Sequence, residues 1–240
     1  FHYQKIYMKQ LDEIAIVVQA RLNSQRVPQK MIRPFADTTL YDLVLEKIKE
    51  ALPSKQEHIW ASVYEPELVE IAKKQGVNIF YRSHESANND NSLQKIYEWH
   101  DKLPSNYKYV MLVSGCNPLL KPETIREFYN QLVKQDEENL FAVMEKKQYY
   151  WNKEGSLVTP WPESQTIMNT KVVEPTSEAA HVLYASRLDI IKDDRFMGDF
   201  EREGGIKLFP MAELEAFDID YEWQFKVGEI LYNEFKEGNI

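Results

Sequence analysis

Cysteine and long apolar runs are both scarce in this sequence of 240 residues. The single cysteine, Cys116, excludes a disulfide within the chain and fits a reducing compartment, so we expect a cytoplasmic protein. No apolar run approaches the roughly 20 residues that span a bilayer, so we expect no membrane segment. Residues 1–12 lack the continuous apolar centre of a signal peptide, and we interpret them as a leading extension.

A surplus of positive charge is also absent. Lysine and arginine number 29 against 38 aspartates and glutamates, which gives a formal net charge of -9. A general nucleic-acid binder needs cations to neutralise phosphates, so we expect no nucleic-acid partner. Hydrophobic residues make up 43% and charged residues 28%, both near the globular norm, and we assign residues 13–240 to a single domain.

Glycine is missing from the loop that follows the first predicted strand, residues 14–18. P-loops and dinucleotide fingerprints hold phosphate with backbone amides beside glycine, so neither lies between Ala20 and Arg33. This glycine-free loop instead carries four cations, Arg21, Arg26, Lys30 and Arg33. Side-chain cations after the first strand of an open sheet predict phosphate binding. The alternative is a solvated loop with surface cations.

Short apolar runs alternate with helical patterns as far as Met144. The runs predict strands at 14–18, 58–63, 77–80, 109–113 and 140–144. The patterns predict helices at 40–51, 66–75 and 91–102, and another that begins near residue 122. This alternation predicts an α/β fold with a mostly parallel sheet and helices on both faces.

The pattern changes after Met144. Residues 147–178 contain three prolines and several tyrosines and tryptophans but no long helical pattern, which predicts hairpins that stand off the sheet. A strand at 181–184 then returns to the core, and a last helix runs from about 222 to 235. The single domain is therefore expected to carry one projecting segment.

Two aspartates precede the last predicted helix, in the sequence Phe217-Asp218-Ile219-Asp220. Alternate residues of an extended segment point to the same face, so both carboxylates could converge on one Mg²⁺. Magnesium takes few protein carboxylates and completes its shell with phosphate and water. The alternative is that one of the two aspartates caps the helix.

Polar residues at the ends of other predicted strands are further candidates. Ser114 and Asn117 follow the strand at 109–113, where an open parallel sheet binds its ligands. Arg82 and the polar residues 88–92 could bind a base and ribose, although a helix N-cap with loop asparagines is the alternative. No sequence signature pairs Cys116 with a base, so we interpret it as a cleft-lining or buried thiol.

These motifs together resemble those of the acylneuraminate cytidylyltransferase family. The segment from Ala20 to Lys30 resembles that family's opening signature, A-R-x-x-S-x-x-x-P-x-K. Residues 82–92 resemble its R-P-x-x-x-x-x-D segment, 114–120 its strand-end motif, and 217–220 the D-I-D before its last helix. The motifs keep the family's order over about 14–232, nearly the whole chain.

The resemblance implies a Rossmann-like, three-layer α/β/α nucleotidyltransferase with a small protruding dimerisation extension at 147–178, and hence a homodimer. It implies transfer of CMP from CTP to an acidic sugar, a nonulosonic or related 2-keto-3-deoxy acid, with release of pyrophosphate. The implied nucleotide-binding residues are Ala20, Arg21, Asn23, Ser24, Arg26, Lys30, Arg82 and Ser92. The implied catalytic residues are Arg21, Lys30, Asp218 and Asp220, with Mg²⁺ on the two aspartates. Ser114, Asn117 and His181 would lie near the sugar, although a lone histidine is more often structural.

The sequence departs from the family's pattern at four positions. Met31 replaces an asparagine of many sialic-acid enzymes, Ser114 replaces a glutamine, and Ser83 replaces a proline. Cys116 stands where relatives that act on 3-deoxy-manno-octulosonate have a metal-binding aspartate. These changes bear on the identity of the sugar more than on the reaction.

Two alternative functions remain open at this point. One is a nucleotidyltransferase that acts on a phosphorylated or phosphonate acceptor. The other is a catalytically silent nucleotide-binding or assembly domain of a larger polypeptide. The presence of Lys30 together with the aspartate pair argues against a silent domain.

Overall fold

The computed structural model describes residues 9–88, 91–196 and 198–240. Its strands are β1 (Ile14–Gln19), β2 (Ile59–Val63), β3 (Asn78–Tyr81), β4 (Tyr109–Val113), β5 (Leu140–Lys146), β6 (Thr176–Arg187) and β7 (Leu208–Pro210). Its α-helices are α1 (Leu40–Ala51), α2 (Pro66–Gln75), α3 (His84–Asn88), α4 (Leu93–Ile96), α5 (Pro122–Lys134) and α6 (Glu222–Lys236). No helix within the described ranges is long and apolar enough to cross a bilayer.

The seven strands form one sheet in the order β3-β2-β1-β4-β6-β5-β7. Neighbouring strands are parallel in the pairs β1–β2, β1–β4, β2–β3 and β5–β7. Only β6 runs against its neighbours β4 and β5, among the strands that the structure describes. The predicted α/β fold with a mostly parallel sheet is therefore confirmed.

The apolar strand β1 serves two cores at once because its side chains alternate between the faces of the sheet. Ile14, Ile16 and Val18 point into the larger core, which also contains the buried faces of α1, α2 and α5. Ala15 and Val17 point into a smaller core around the fully buried Trp99. Burial on both faces explains why this strand is a continuous apolar run.

The predicted helix at 91–102 is wrong. Helix α4 spans only four residues, and Tyr97 then leaves the helical region with φ -105° and ψ 46°. A 3-10 turn, Glu98–Asp101, follows it. The break lets Trp99 enter the smaller core and donate its indole N–H to Gln19 Oε1 at 2.8 Å. Tertiary burial of this tryptophan therefore overrides the local helical pattern.

The segment after Met144 also differs from its prediction. Strand β6 has twelve residues rather than four, and it pairs with β5 from Thr176 onward. Residues 176–178 therefore belong to the sheet and not to the projecting segment. The remainder of that segment contains an isolated bridge between Trp151 and Leu157 and a short 3-10 turn, Thr170–Val172. Strand β7 was not predicted, because its three residues end on a proline and form no alternating pattern.

Candidate active site

A cavity of about 620 Å³ opens at the carboxyl ends of β1 and β4. Gln19 and Val113, which end these two strands, line it together with the turn at 114–116. Open parallel sheets bind their ligands at this edge. We call it the cationic cavity. The sequence-predicted residues that line it are Ala20, Arg21, Asn23, Ser24, Arg26, Lys30, Ser114 and His181.

Apolar anchors hold the glycine-free loop in place. Val27 is fully buried and Met31 is 4% exposed, so the loop is pinned to the larger core at two points. The amide of Leu22 donates to Glu65 Oε1 at 2.9 Å. Gly115 packs on the opposite side, where a Cβ would require the end of the Met31 side chain to move. Packing and side-chain bonds thus fix a loop that lacks glycine turns.

The loop cations reach across to the segment that carries the two aspartates. Arg26 Nη2 lies 2.7 Å from Asp220 Oδ1, and the Arg26 guanidinium lies 5.2 Å from the centre of the Tyr221 ring. Lys30 Nζ donates to the Ile219 carbonyl at 2.5 Å and lies 3.8 Å from Asp220 Oδ1. The structure therefore brings together the two motifs that the sequence places about 190 residues apart.

Asp218 is the least compensated charge of this segment. Burial raises the pKa of its carboxyl, and the nearby charge of Asp220 raises it further. Asp218 Oδ1 is buried and has no hydrogen-bond partner. Among the described residues, no group of three or more His, Cys, Asp or Glu side chains could hold a metal. Asp218 and Asp220 are close enough for the charge of one to raise the pKa of the other's carboxyl.

Neither aspartate caps the last helix, so that alternative is wrong. Helix α6 begins after Tyr221, and the capping group is the side chain of Gln224. Gln224 Oε1 accepts from the backbone amides of Asp220 and Tyr221, both at 2.8 Å. Gln224, the third residue of the helix, therefore plays the N3 part of a capping box, and Tyr221 is the N-cap residue.

Asn117 lies behind the aspartates rather than in the cationic cavity. Its side chain is 4% exposed and donates to the carbonyls of Ala216 and Phe217, both at 3.3 Å. Beside it, the amide of Ile219 donates to the Cys116 carbonyl at 3.0 Å. The strand-end turn and the aspartate segment are therefore joined directly. Asn117 therefore bonds to the two carbonyls that precede Asp218, and it is not among the residues that line the cavity.

Arg82 also lies outside the cationic cavity. It is 6% exposed, and burial lowers the pKa of its guanidinium to about 10. Its Nη1 donates to the Ala20 carbonyl at 3.2 Å and its Nε to Ser86 Oγ at 3.0 Å. Arg21 continues this contact, since its Nη1 donates to the Ala87 carbonyl at 3.3 Å. Arg82 therefore holds the first residue of the loop, Ala20, from outside the cavity.

Only part of the polar cluster at 88–92 reaches the cationic cavity. Asn88 lines it and accepts from Asn23 Nδ2 at 3.0 Å. Ser92 caps α4 by accepting from the amide of Lys95, as the N-cap alternative predicts. Residues 89 and 90 lie outside the described residues. Ser92 is not among the described residues that line the cavity.

His181 reaches the cationic cavity through an irregularity in β6. Its φ of 55° lies in the left-handed region, and the pairing of β6 with β5 shifts register at this point. In a regular strand, residues 181 and 184 would face opposite sides of the sheet. Here His181 Nδ1 lies 3.3 Å from the Tyr184 hydroxyl, and both line the cavity. Strain of this kind in a non-glycine residue is typical of functional sites.

The sequence did not reveal that Tyr97 and Tyr184 line the cationic cavity. Tyr97 was assigned to a helix that the structure interrupts. Tyr184 pairs with Leu112 of β4 in regular register, and the left-handed conformation of His181 brings the histidine to the same face. Cys116 also lines the cavity, and burial raises the pKa of its thiol. A thiol with a raised pKa is a poor nucleophile, which agrees with its interpretation as a cleft-lining group.

The mostly parallel sheet gives this chain a Rossmann-like α/β fold, which it shares with solved structures of nucleotidyltransferases. A CMP:2-keto-3-deoxy-manno-octonic acid synthetase complexed with CTP superposes with a TM-score of 0.65 at 13% identity, covering 92% of this chain and 99% of that one. A 4-diphosphocytidyl-2C-methyl-D-erythritol synthase from Anaerococcus prevotii gives 0.66 at 12% identity, covering 93% and 100%.

Within that class, the chain belongs to the cytidylyltransferase family, whose model matches residues 15–235. The N-acylneuraminate cytidylyltransferase of Oncorhynchus mykiss is 28% identical over 151 residues, which are 61% of this chain and 34% of that protein. The 3-deoxy-manno-octulosonate cytidylyltransferase of Rickettsia canadensis is 25% identical over 122 residues, 50% of this chain and 48% of that one. The chain thus spans a third to a half of these relatives' length.

A third relative matches over nearly its full length. The post-translational flagellin modification protein B of Campylobacter coli is 25% identical over 238 residues, which cover 93% of this chain and 97% of that protein. The match therefore includes the projecting segment and the aspartate segment as well as the glycine-free loop.

The raised pKa of Asp218 predicts a gain in stability when its charge is removed. A carboxyl whose pKa is higher in the folded state binds extra protons there, so the free energy of unfolding falls as pH rises above about 4. At neutral pH without divalent cations, Asp218→Asn should therefore raise the melting temperature. The gain should shrink toward zero at pH 3, where Asp218 is protonated in both states. The matched control is Asp193→Asn, at an exposed aspartate outside the cavity. It should leave the melting temperature unchanged both at neutral pH and at pH 3. A lower melting temperature for Asp218→Asn at neutral pH would contradict the assignment.

Proposed function

We propose that this chain transfers CMP from CTP to an acidic sugar, a nonulosonic or related 2-keto-3-deoxy acid, and releases pyrophosphate. The observation that carries the proposal is the meeting of loop cations and paired carboxylates, Arg26 and Lys30 against Asp218 and Asp220, beside one cavity. The names of the trout and Rickettsia relatives, cytidylyltransferases for N-acylneuraminate and 3-deoxy-manno-octulosonate, support an acidic sugar as acceptor.

The reaction needs alignment and charge neutralisation more than covalent help. A hydroxyl oxygen of the sugar attacks the α-phosphorus of CTP, the bond from that phosphorus to the bridging oxygen breaks, and pyrophosphate leaves. Arg26 and Lys30 now contact Asp220 and the Ile219 carbonyl, and both would exchange these contacts for phosphate oxygens. Arg21 lines the same cavity and would lie near the base of the nucleotide. A guanidinium can grip phosphate with two parallel bonds, whereas the Lys30 ammonium follows the departing charge as a point charge.

Asp218 and Asp220 would hold Mg²⁺, and their chemistry fits this ion. The buried, unpartnered Asp218 Oδ1 and the raised pKa of the same carboxyl both indicate a group that lacks a counter-charge. The chemistry that Mg²⁺ supplies when bound is neutralisation of phosphate charge and a lower pKa for the attacking hydroxyl. Asn117 and the Cys116 carbonyl would keep both carboxylates aimed at one point, through the bonds that they make to residues 216–219.

The Campylobacter coli relative bears on the use of the product. Its name states post-translational flagellin modification, and it matches this chain over 93% of its length. That name supports a CMP-sugar which is consumed in the glycosylation of a surface protein or polysaccharide.

The proposed reaction predicts pyrophosphate release that requires Lys30. With N-acetylneuraminate or 3-deoxy-manno-octulosonate as acceptor, CTP should support turnover and ATP, GTP and UTP should not. Lys30→Ala should lower kcat by roughly a hundredfold to a thousandfold, because a donor to developing charge is removed. Lys226→Ala, an exposed lysine on α6, is the matched control and should retain wild-type turnover. Near-normal kcat in Lys30→Ala would leave the loop as a basic surface, and equal use of all four nucleotides would refute the cytidylyl assignment.

We also infer that two copies of the chain pair through the projecting segment. This segment exposes large apolar side chains that a single copy leaves in water, among them Trp151 at 51%, Val158 at 63% and Ile167 at 68%. Tyrosine, tryptophan and methionine are enriched at interface cores, and this stretch also exposes Tyr150, Trp161 and Met168. An apolar surface of this kind is typical of a protein–protein contact.

Light scattering at micromolar concentration should give twice the 28.4 kDa mass of one chain. Trp151→Glu should shift the mass toward one chain, because a carboxylate would be buried at the contact. Trp223→Glu makes the same change at a tryptophan that is 60% exposed on α6, and it should leave the dimer intact. A monomeric mass for the wild-type protein would exclude this assembly.

A further inference from the structure

Gln19, the last residue of β1, is a half-buried side chain in the wall of the cationic cavity. Its Oε1 atom lies 2.8 Å from the indole nitrogen of Trp99 and 3.3 Å from the Ser62 hydroxyl oxygen. An indole nitrogen can only donate, so the Gln19 atom that faces it is the carbonyl oxygen of the amide. Trp99 and Ser62 are both fully buried. The orientation of the Gln19 amide is therefore fixed from within the core.

The amino group of Gln19 is the part of the amide left for a ligand. Its Nε2 atom has no hydrogen-bond acceptor among the described residues, whereas Oε1 already accepts from two donors. Ser114 lines the same cavity, and its Oγ accepts from the Cys116 amide at 3.2 Å. The hydrogen of the Ser114 hydroxyl is then available to a ligand as well. We call Gln19 Nε2 and Ser114 Oγ the donor pair.

The two members of the donor pair come from neighbouring strands. Strands β1 and β4 are parallel, with Val17 beside Leu112, and Gln19 and Ser114 each lie two residues further along. Alternate residues of a strand point to the same face of the sheet. Val17 and Leu112 both belong to the smaller core, so the donor pair continues that face to the edge where the cavity opens.

A donor pair of this kind suits a carboxylate better than a hydroxyl. The oxygens of an ionised carboxylate only accept hydrogen bonds, and two adjacent donors can be used in full by its two oxygens. A sugar hydroxyl also has a hydrogen to donate, and the Gln19 oxygen that could accept it is occupied by Trp99 and Ser62. Hydrogen bonds to an ionised group are also the stronger ones.

The position of Gln19 assigns the donor pair to the acceptor and not to the nucleotide. The cations proposed to bind the phosphates, Arg26 and Lys30, belong to a loop that is anchored in the larger core. The side chain of Gln19 lies on the opposite face of β1, bonded to Trp99 of the smaller core. Tyr184 packs against that core and also lines the cavity. A nucleotide held by the loop therefore leaves this side of the cavity to the second substrate.

We propose that Gln19 binds the carboxylate of the acceptor sugar through its amino group, and that Trp99 is the positioning residue which holds this amide in its donating orientation. The proposal rests on the proposed function, because transfer to an acidic sugar is what places a carboxylate in the cavity. Gln19 is then a specificity-determining residue, since a sugar without an anionic group would leave its amino group without an acceptor.

Gln19→Met keeps the length of the side chain and removes the N–H donors. With N-acetylneuraminate or 3-deoxy-manno-octulosonate in the pyrophosphate-release assay, the KM for the acid should rise by about tenfold to a hundredfold, the scale of a hydrogen bond to a charged group. The KM for CTP should stay within about twofold. Gln56→Met, at an exposed glutamine ahead of β2, is the matched control and should change neither KM. An unchanged KM for the acid, or a rise of similar size in the KM for CTP, overturns the proposal.

Gln19→Glu distinguishes a carboxylate from a hydroxyl as the bound group. The variant keeps one oxygen for Trp99 and Ser62 and replaces the amino group by a second oxygen. At pH 8.5 this side chain is charged and repels a carboxylate, so the KM for the acid should exceed that of Gln19→Met by about tenfold or more. A sugar hydroxyl would instead donate to the new oxygen. A KM equal to or below that of Gln19→Met overturns the assignment to the carboxylate.

A double-mutant cycle tests the role of Trp99. Trp99→Phe removes the indole N–H and should raise the KM for the acid in the wild-type background. In the Gln19→Met background it should have no further effect, because the amide that Trp99 orients is already gone. A rise of the same size in both backgrounds, or in neither, overturns the positioning role. Ser62→Ala removes the other donor and gives the same comparison with a smaller change in the core.

Failure of this proposal and failure of the proposed function give different results. Wild-type KM for the acid in Gln19→Met, with pyrophosphate still released, overturns the proposal and leaves the cytidylyl transfer standing. If no acid supports pyrophosphate release, the proposed function fails, and calorimetric titration of the two acids into the wild-type protein and Gln19→Met decides the proposal. Binding that is about tenfold weaker in the variant supports it, and equal or undetectable binding overturns it.

Discussion

The site depends on holding two carboxylates next to the cations of a loop that has no glycine. Placing Asp218 and Asp220 close together destabilises the folded state when both are charged, because Asp218 is partly buried and the two charges repel each other. Arg26 and Lys30 offset this cost only in part, because Asp218 Oδ1 still has no partner. The folded chain therefore holds two carboxylates that repel each other. A magnesium–nucleotide complex bound between them would reduce this repulsion.

Two buried groups outside the cavity, Arg82 and Asn117, and one in its wall, Gly115, maintain this geometry. Arg82 holds the start of the loop through the Ala20 carbonyl, and Asn117 holds the carbonyls of the aspartate segment. Gly115 lets the strand-end turn approach Met31, which anchors the far end of the loop. Met31, where many sialic-acid enzymes have asparagine, is therefore a packing residue here. Cys116 stands where octulosonate enzymes have a metal-binding aspartate, and burial raises the pKa of its thiol.

The sequence predicted the features that depend on local pattern. Continuous apolar runs identified β1 and β4, and the four cations after β1 identified the loop that lines the cavity. It could not predict features that depend on distant partners. The burial of Trp99 interrupts a helical pattern, and the left-handed conformation of His181 brings its side chain to the Tyr184 hydroxyl in the cavity. Position in a motif also could not separate a residue that lines the cavity from one such as Arg82, which supports it from behind.

Diffraction from crystals grown with CTP and Mn²⁺, which gives an anomalous signal where Mg²⁺ does not, tests the central claim most directly. The account predicts an anomalous peak bridging the triphosphate to the carboxylates of Asp218 and Asp220. It also predicts that Arg26, whose Nη2 now lies 2.7 Å from Asp220 Oδ1, exchanges this carboxylate for a phosphate oxygen when CTP binds. A metal peak bound by neither aspartate, with the contact between Arg26 and Asp220 intact beside bound CTP, would contradict the account.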